Sequence, residues 1–311
     1  MTVVVLGASR GIGHEIARQL AEAGRDVRAV SRSGGAPAGA EGVRADLLSR
    51  ESTVRAAQGA SVLHLAANVP YTEWTTTLPT MLDNAIAAAH DTGARLVFAD
   101  NLYAYGPVSG PLRETTPEKP LGVKEKLRSA LGATLRSSGV RYAIGRSSDY
   151  YGPGGVSSLV GELILRPMTA GRRPMWFGPL DVPHTFAYLG DTAAAQITLG
   201  DGDRDGTWHV PAAPTLTVRA FADLARKVIG SERTPLRLPE IALTVGALFE
   251  KRLRGAGELA HQRTRPWVVD HSAFETDFGP FAVTPHEEAI RRTAEWYRDL
   301  GVGAALSRES S

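Results

Sequence analysis

The chain contains no cysteine among its 311 residues. This excludes a disulfide framework, a thiolate metal site and a cysteine nucleophile. The amino terminus also lacks a basic segment followed by a long apolar run and a cleavage site, so no export signal is predicted. Because a protein without disulfides suits a reducing compartment, we expect it to be cytoplasmic.

A large excess of charge of one sign is also missing, since 35 Lys and Arg residues face 33 Asp and Glu residues, for a net charge of +2. Such a balance gives no strong field to hold nucleic acid or an anionic bilayer. The longest late apolar run, 241–249, is interrupted by Thr244 and Gly246 and falls short of the roughly 18 residues of a membrane helix. We therefore expect a small-molecule substrate and neither nucleic acid nor membrane as partner, while the oligomeric state stays open.

Histidine pairs with the spacing of metal ligands are absent too. None of the eight histidines forms a His-x-His or a helical i, i+4 pair, so no metal site is predicted. His64 lies in an apolar run and is predicted to be a core residue whose ring nitrogens are hydrogen-bonded.

What the chain does have is a regular alternation of short β-branched runs and helical stretches. The runs predict strands over 3–6, 27–31, 42–45, 61–65, 95–99, 141–145 and 207–210. The helical stretches are 12–23, 51–58, 77–92, 123–137, 218–229, 241–262 and 285–300. This order predicts the α/β class, with a Rossmann-type doubly wound parallel sheet and a smaller C-terminal lobe.

The alternation breaks down after residue 145, where Gly and Pro cluster at 151–155 and 177–179. We predict a dinucleotide-binding Rossmann domain over 1–150, with its sheet completed by segments around 181–210. Residues 151–311 are then mainly a substrate-binding lobe and C-terminal helices.

The first strand runs into the turn Gly-Ala-Ser-Arg-Gly-Ile-Gly, which opens the first helix. Gly7 permits the tight turn, Gly11 lets the backbone approach a pyrophosphate, and Gly13 lets the helix pack closely on the strand. The N–H groups of the helix N-terminus then face the phosphates. The predicted cofactor-binding residues of the turn are Gly7, Ser9, Arg10, Gly11, Ile12 and Gly13.

The second strand ends in Ser31-Arg32, without the acidic residue that usually binds the ribose 2′-hydroxyl of NAD. Arg32 and Arg10 can instead bind a 2′-phosphate through their guanidinium groups. The open alternative is that both side chains are only solvated. The sequence therefore favours NADP(H), with Ser31 and Arg32 among its contacts. Further predicted cofactor contacts are Asp46 and Leu47 beside the adenine, and Ala66, Ala67 and Asn68 beside the ribose.

Several motifs together resemble the short-chain dehydrogenase/reductases of the extended, epimerase/dehydratase-like type. They are the glycine turn, Asp46-Leu47, His64-Leu65-Ala66-Ala67, Tyr105-Gly106-Pro107, Tyr151-Gly152-Pro153-Gly154 and Asp191. The resemblance runs over nearly the whole chain, although the glycine spacing is similar to that of the classical subgroup. It implies a nicotinamide cofactor and a C-terminal substrate lobe.

The chain departs from that family at the catalytic residues. The family has Ser or Thr four residues before the Tyr of its Tyr-Gly pair, where this chain has Asn101. The family's Tyr-x-x-x-Lys dyad falls on Leu121 and Glu125, and no shift of the alignment restores it. Since ketone reduction needs a proton donor for the developing alkoxide, we predict that a hydroxyl of the substrate beside the ketone supplies the proton.

The candidate catalytic residues are Asn101, whose amide can hydrogen-bond a carbonyl, and Tyr103, the nearest alternative hydroxyl. Capping or support of the loop is the open alternative for both. Lys124 and Lys126 are predicted to be solvated helix charges. The predicted pocket residues are Tyr105, Tyr150, Tyr151 and His184.

These inferences favour an NADPH-dependent ketoreductase acting on a bulky secondary metabolite, as in the tailoring of aromatic polyketides during antibiotic biosynthesis. One alternative is a nucleotide-sugar-type epimerase or dehydratase, which the resemblance ties to the missing Tyr and Lys. Another is an NADP-binding redox sensor or scaffold without catalysis, which a missing dyad would equally allow.

Overall fold

The computed structural model of the protein describes residues 1–155, 158–243 and 256–301. At its centre is a parallel sheet of seven strands: β1 (Thr2–Leu6), β2 (Val27–Ser31), β3 (Glu41–Arg44), β4 (Ala60–Leu65), β5 (Arg95–Asn101), β6 (Tyr142–Ser147) and β11 (Gly206–His209). Their order is β11-β6-β5-β4-β1-β2-β3. The predicted Rossmann-type fold class is confirmed.

Helices cover both faces of this sheet, because its inner strands bury apolar residues on both sides. The helices are α1 (Gly11–Glu22), α2 (Arg50–Ala57), α3 (Trp74–Thr92), α4 (Val123–Arg136), α5 (Arg166–Thr169), α6 (Leu189–Asp201), α7 (Val218–Ile229), α8 (Ala260–Thr264), α9 (Ser272–Phe278) and α10 (His286–Asp299). The first face is covered by α2, α3 and α4, and the second by α1, α6 and α9. None of the helices in the described ranges has both the length and the apolar character that a membrane crossing requires.

A third core, built around Tyr151, Trp176, Phe186 and Phe221, lies in the C-terminal half together with α5, α7 and α10. Short strands accompany it: β7 (Tyr150–Tyr151), β8 (Met175–Phe177), β9 (Pro183–His184), β10 (Ala187–Tyr188), β12 (Leu216–Thr217) and β13 (Leu236–Leu238). They form three two-stranded sheets, β7 with β10, β8 with β13 and β9 with β12. This third core begins just after the carboxyl end of β6, because β7 is the next element in the chain.

Helix α6 is an element that the sequence reading missed. It contacts α1 on one side and strands β4, β5 and β6 on another, and it buries small residues such as Ala193, Ala195 and Gly200. A helix that is buried on several sides has no single apolar stripe, so its sequence lacks the periodicity by which surface helices are found.

The predicted helix over 241–262 falls largely on residues 244–255, which lie outside the described part of the chain. What is described of its end is a short turn, Ala256–Leu259, that leads into α8.

His64 lies on β4 beneath α6 and is 2% exposed. Its Nδ1 has no hydrogen-bond partner, so the prediction of a fully hydrogen-bonded core histidine is wrong. Burial lowers the pKa of His64 to about 4. The ring is therefore neutral at physiological pH, because a charged imidazolium would be poorly solvated there.

We expect His64→Leu to flatten the pH dependence of stability. In the unfolded chain His64 is protonated below its pKa of about 6.5, whereas in the folded protein it stays neutral until about pH 4. As the pH falls through this range, His64 therefore lowers the free energy of unfolding by about 3 kcal/mol in total. Urea unfolding of both proteins at about pH 7 and pH 4.5 measures the difference. Parallel losses in the two proteins would show that His64 does not contribute.

Candidate functional site

The turn between β1 and α1 has the geometry that a dinucleotide needs. Gly7 and Gly11 have φ values of +96° and +61°, which favour glycine. A Cβ on Gly7 would overlap the backbone of Ala67, and one on Gly13 would overlap the carbonyl of Gly7. Gly11 instead faces open space, which leaves room for a phosphate to approach the backbone.

The N-terminus of α1 offers its N–H groups to such a phosphate. Arg10 occupies the N-cap position without a capping side-chain hydrogen bond, and the first turn contains no acidic residue. Free N–H groups and the helix dipole favour an anion at this place. These residues therefore fit the pyrophosphate of a nicotinamide dinucleotide.

The carboxyl ends of β2 and β3 carry exposed arginines. Arg32 follows β2, and Arg44 ends β3 beside Ser31 in the strand register. Within the described ranges, neither of them nor Arg10 forms an ion pair with a carboxylate. Ser31 itself is buried, and its hydroxyl accepts the N–H of Gly34 at 3.0 Å. The sequence did not single out Arg44. It is the last residue of β3, just as Arg32 directly follows β2.

The other predicted cofactor residues lie at the carboxyl ends of β3 and β4. Asp46 is exposed and its Oδ1 accepts the N–H of Leu48 at 3.0 Å. Leu47 is buried, and its carbonyl accepts a hydrogen bond from Asn84 of α3 at 2.8 Å, a contact that the sequence did not indicate. Ala66 donates its backbone N–H to the carbonyl of Leu6 in β1, and Ala67 lies against Gly7. Asn68 is exposed.

The candidate catalytic residues follow directly on β5. The Oδ1 of Asn101 accepts the backbone N–H of Tyr103 at 3.0 Å, so this oxygen fixes the loop. The hydroxyl of Tyr103 is 3.0 Å from that of Tyr71, a residue that sequence reasoning missed. Burial raises the pKa of both phenols, that of Tyr103 well above its usual value. Both hydroxyls are therefore neutral groups.

The residues that the sequence predicts at the family's dyad positions, Leu121 and Glu125, lie at the start of α4. Leu121 is 68% exposed and presents no polar atom in its side chain. The Oε2 of Glu125 accepts the N–H groups of Leu121 and Gly122 at 2.6 and 3.0 Å, which caps the helix. Its Oε1 lies 3.5 Å from Nδ1 of His261. Glu125 is therefore a capping residue.

Lys124 does not lie where the sequence predicts. Its side chain is buried, and its Nζ lies 3.4 Å from Oε2 of Glu258 and 4.8 Å from the centre of the Tyr71 ring. The other carboxylate oxygen of Glu258 accepts the backbone N–H of Lys124 at 2.8 Å. The prediction of a solvated charge is wrong for Lys124, whereas Lys126 is exposed.

Two of the four predicted pocket residues are held in the interior. Tyr105 is fully buried with its hydroxyl 2.8 Å from Nε2 of His209, and Tyr151 is fully buried with its hydroxyl 2.8 Å from Nδ1 of His286. Their rings support the loops that follow β5 and β6. A substrate at the surface of the site would not meet their hydroxyls directly.

The other two predicted pocket residues come together beside Asp149. The Nε2 of His184 is 3.1 Å from Oδ2 of Asp149, the residue before Tyr150. Burial raises the pKa of Tyr150 to about 12, with a contribution from the Asp149 carboxylate and an opposing one from Arg10. The Asp149 carboxylate also contributes to the raised pKa of Tyr71 and of Tyr103. The loops after β4, β5 and β6 therefore converge here.

We expect Glu125→Ala to lower the free energy of unfolding by about 1 kcal/mol, which is typical for the loss of a helix cap. Glu125→Gln should cost less, because an amide oxygen still accepts the N–H groups of Leu121 and Gly122. Urea unfolding measures both variants. An equal loss in the two would assign the effect to the charge rather than to the cap.

The sequence profile described as the NAD dependent epimerase/dehydratase family matches residues 3–207, from β1 into β11. No curated protein sequence matches the chain. Among solved structures, the chain is similar to the enzyme WbmH of Bordetella bronchiseptica in complex with NAD+ and to UDP-glucose 4-epimerase of Thermotoga maritima with UDP-glucose. For each of the two, the TM-score is 0.78 at 18% identity, over 96% of this chain and 99% of the other.

MoeE5, in complex with UDP-glucose and NAD, is similar at 20% identity and a TM-score of 0.78, over 96% of this chain and 99% of that one. Identities this low establish a shared fold, while the profile covers about two thirds of the chain and includes the glycine turn. The chain therefore belongs to the NAD dependent epimerase/dehydratase family of oxidoreductase-type enzymes.

Proposed function

We propose that the protein is an NADPH-dependent ketoreductase that reduces a carbonyl group of a bulky, ring-containing secondary metabolite. The observation that carries this proposal is a complete dinucleotide turn beside a site whose dyad positions are Leu121 and the capping Glu125. When bound, the nicotinamide supplies the hydride. The chain's own residues must then bind and orient the carbonyl.

The proton for the alkoxide comes from a hydroxyl that the substrate carries beside its carbonyl. Tyr71 and Tyr103 are hydrogen-bonded to each other, and burial raises the pKa of both, so they are suited to orient a substrate oxygen rather than to release a proton. A hydroxyl held next to the carbonyl needs only positioning, which replaces a side-chain acid by proximity.

Aromatic side chains around the site favour a flat substrate. Tyr71 and Tyr103 stand with Trp74 in a cluster in which the Trp74 and Tyr103 rings stack at 6.0 Å. Tyr150 adds a further half-buried ring from the loop after β6. Trp74 is buried, so the half-buried rings of Tyr71, Tyr103 and Tyr150 are the ones that a substrate can reach, and aromatic surfaces suit a polycyclic ring.

The cofactor preference rests on the arginines at the carboxyl ends of β2 and β3. Arg32 and Arg44 are exposed and form no ion pair with the acidic groups of the described residues, so they are available to a 2′-phosphate. Arg10 stands at the glycine turn and also acts on Tyr150 across the site. Arg32 is therefore the cleaner residue for a test of NADP(H) specificity.

We expect NADPH to bind more tightly than NADH, and Arg32→Asp to abolish or reverse the preference. A charge-assisted contact is worth about 1.5 to 3 kcal/mol, roughly a ten- to hundredfold change in Kd. Titration of both cofactors measures this. Arg172→Asp, the same change at an exposed site in the C-terminal half, is the matched control. Equal affinities of the unaltered protein for both cofactors would refute the proposed NADP(H) preference.

We expect tetralone that carries a hydroxyl peri to its carbonyl to be reduced at least about tenfold faster than plain tetralone, because only the first can protonate its own alkoxide. Asn101→Ala and Tyr103→Phe should each retain more than about a hundredth of the rate, since loss of a true acid costs roughly 10²- to 10⁴-fold. NADPH consumption and product analysis measure both.

A loss near 10⁴-fold in Tyr103→Phe, with NADPH affinity unchanged, would instead make Tyr103 the acid. Tight NADPH binding without repeated turnover of either ketone would favour the sensor or scaffold alternative. Interconversion of nucleotide-sugar epimers would favour the epimerase alternative.

A further inference from the structure

Two buried histidines of this chain are fully hydrogen-bonded as neutral rings. His209 and His286 each place one ring nitrogen 2.9 Å from a backbone carbonyl, which only accepts. Each places its other nitrogen 2.8 Å from a tyrosine hydroxyl, of Tyr105 and Tyr151 respectively, which can donate. One N–H per ring therefore satisfies all partners. Burial accordingly lowers the pKa of His209 to about 4.

His184 differs from both in its second partner. Its Nδ1 is 3.2 Å from the backbone carbonyl of Gln262, while its Nε2 is 3.1 Å from a carboxylate oxygen of Asp149. A carbonyl and an ionised carboxylate both accept only, so a ring with a single N–H leaves two acceptors facing each other at one of these contacts. The pair is satisfied when it holds one further proton, on the ring or on the carboxyl group.

The pair is enclosed on the histidine side and open on the aspartate side. His184 is 2% exposed, stacks on Phe186 with ring centres 4.6 Å apart, and lies in a T-shaped arrangement with Trp176. The side chain of Asp149 is 20% exposed. A proton held by this pair can therefore leave through Asp149 rather than through His184.

The groups around Asp149 come from several elements. The titratable ones are the hydroxyls of Tyr71, Tyr103 and Tyr150, and the carboxylate acts on all three. The cations that act on the same hydroxyls are Arg128 on α4, Arg263 on α8 and Arg10 in the glycine turn. Arg128 and Arg263 are each paired with an acid of their own, Asp100 and Glu240, so neither is committed to Asp149.

We infer that the Asp149–His184 pair stores one exchangeable proton for the reduction site. This inference rests on the proposed function. Reduction adds a hydride to the carbonyl carbon and a proton to its oxygen, and the substrate hydroxyl that gives this proton is left as an oxyanion. The pair passes its proton to that oxyanion, which restores the hydroxyl. It is left as a neutral imidazole and a carboxylate, and then takes a proton from water.

The variant Asp149→Asn removes the stored proton and keeps the hydrogen-bond geometry of His184. An amide N–H of Asn donates to Nε2 of a neutral ring, so the hydrogen bonds and the packing of His184 persist without the additional proton. Asp205→Asn is the matched control, because Asp205 pairs with Arg95 just before β11 begins, at the other end of the sheet.

The first measurement counts protons without reference to activity. The method is NMR, with the ¹⁵N shifts of the His184 ring and the ¹³C shift of the residue 149 carboxyl followed from slightly acidic to alkaline pH. We expect the unaltered pair to hold two protons at the acidic end of this range and one at the alkaline end. In Asp149→Asn, His184 should show one throughout the neutral range, as His209 and His286 do. A single proton on the unaltered pair over the whole range would overturn the inference.

The second measurement is the pH profile of kcat with peri-hydroxytetralone. We expect the unaltered rate to fall as the pair loses its proton, and the Asp149→Asn rate to be about tenfold lower and flat, because only the return of the proton to the substrate hydroxyl is slowed, with unchanged NADPH affinity. Asp205→Asn should follow the unaltered profile. A flat profile in the unaltered protein, or full activity of Asp149→Asn, would overturn the inference. If neither ketone is reduced, the proposed function fails while the proton count still decides the pair.

Discussion

One buried carboxylate, that of Asp100, fixes the edge of the sheet on which the site is built. It accepts hydrogen bonds from Arg128 of α4 at 3.1 Å and from Arg146 of β6 at 3.2 Å, and its side chain is fully buried. Removing one partner of a buried ion pair typically costs about 3 to 5 kcal/mol, because the other charge is left unpaired. Strand β5, strand β6 and helix α4 are therefore held together where β5 ends at Asn101, one of the two candidate catalytic residues.

The same two guanidinium groups also hold aromatic rings. That of Arg128 lies 4.2 Å from the centre of the Trp74 ring, and that of Arg146 lies 4.9 Å from the centre of the Tyr105 ring. Such cation–π contacts are strongest where water is excluded. Because Trp74 begins α3 immediately after the turn that carries Tyr71, the position of this hydroxyl depends on the buried charges as well.

The sequence predicts those features of this protein whose residues are close together in the chain. The five inner strands are predicted because buried parallel strands are apolar runs, and the glycine turn is predicted because it lies within a few residues. Lys124 is misjudged because its partner, Glu258, lies 134 residues away. Tyr71 is missed because its partner, Tyr103, lies 32 residues further on, on another loop. Local patterns contain no information about such pairs.

The cap on α4 restricts which side chains positions 121, 122 and 125 can accept. Leu121→Tyr and Glu125→Lys would introduce a Tyr-x-x-x-Lys pattern, but a lysine cannot accept the N–H groups that Glu125 now holds. The carboxylate of Glu258 also fills the space beside Gly122, so a Cβ there would overlap it. A Tyr-x-x-x-Lys pattern at these positions would therefore cost the helix its cap, and a side chain at position 122 would require Glu258, in a distant segment, to move.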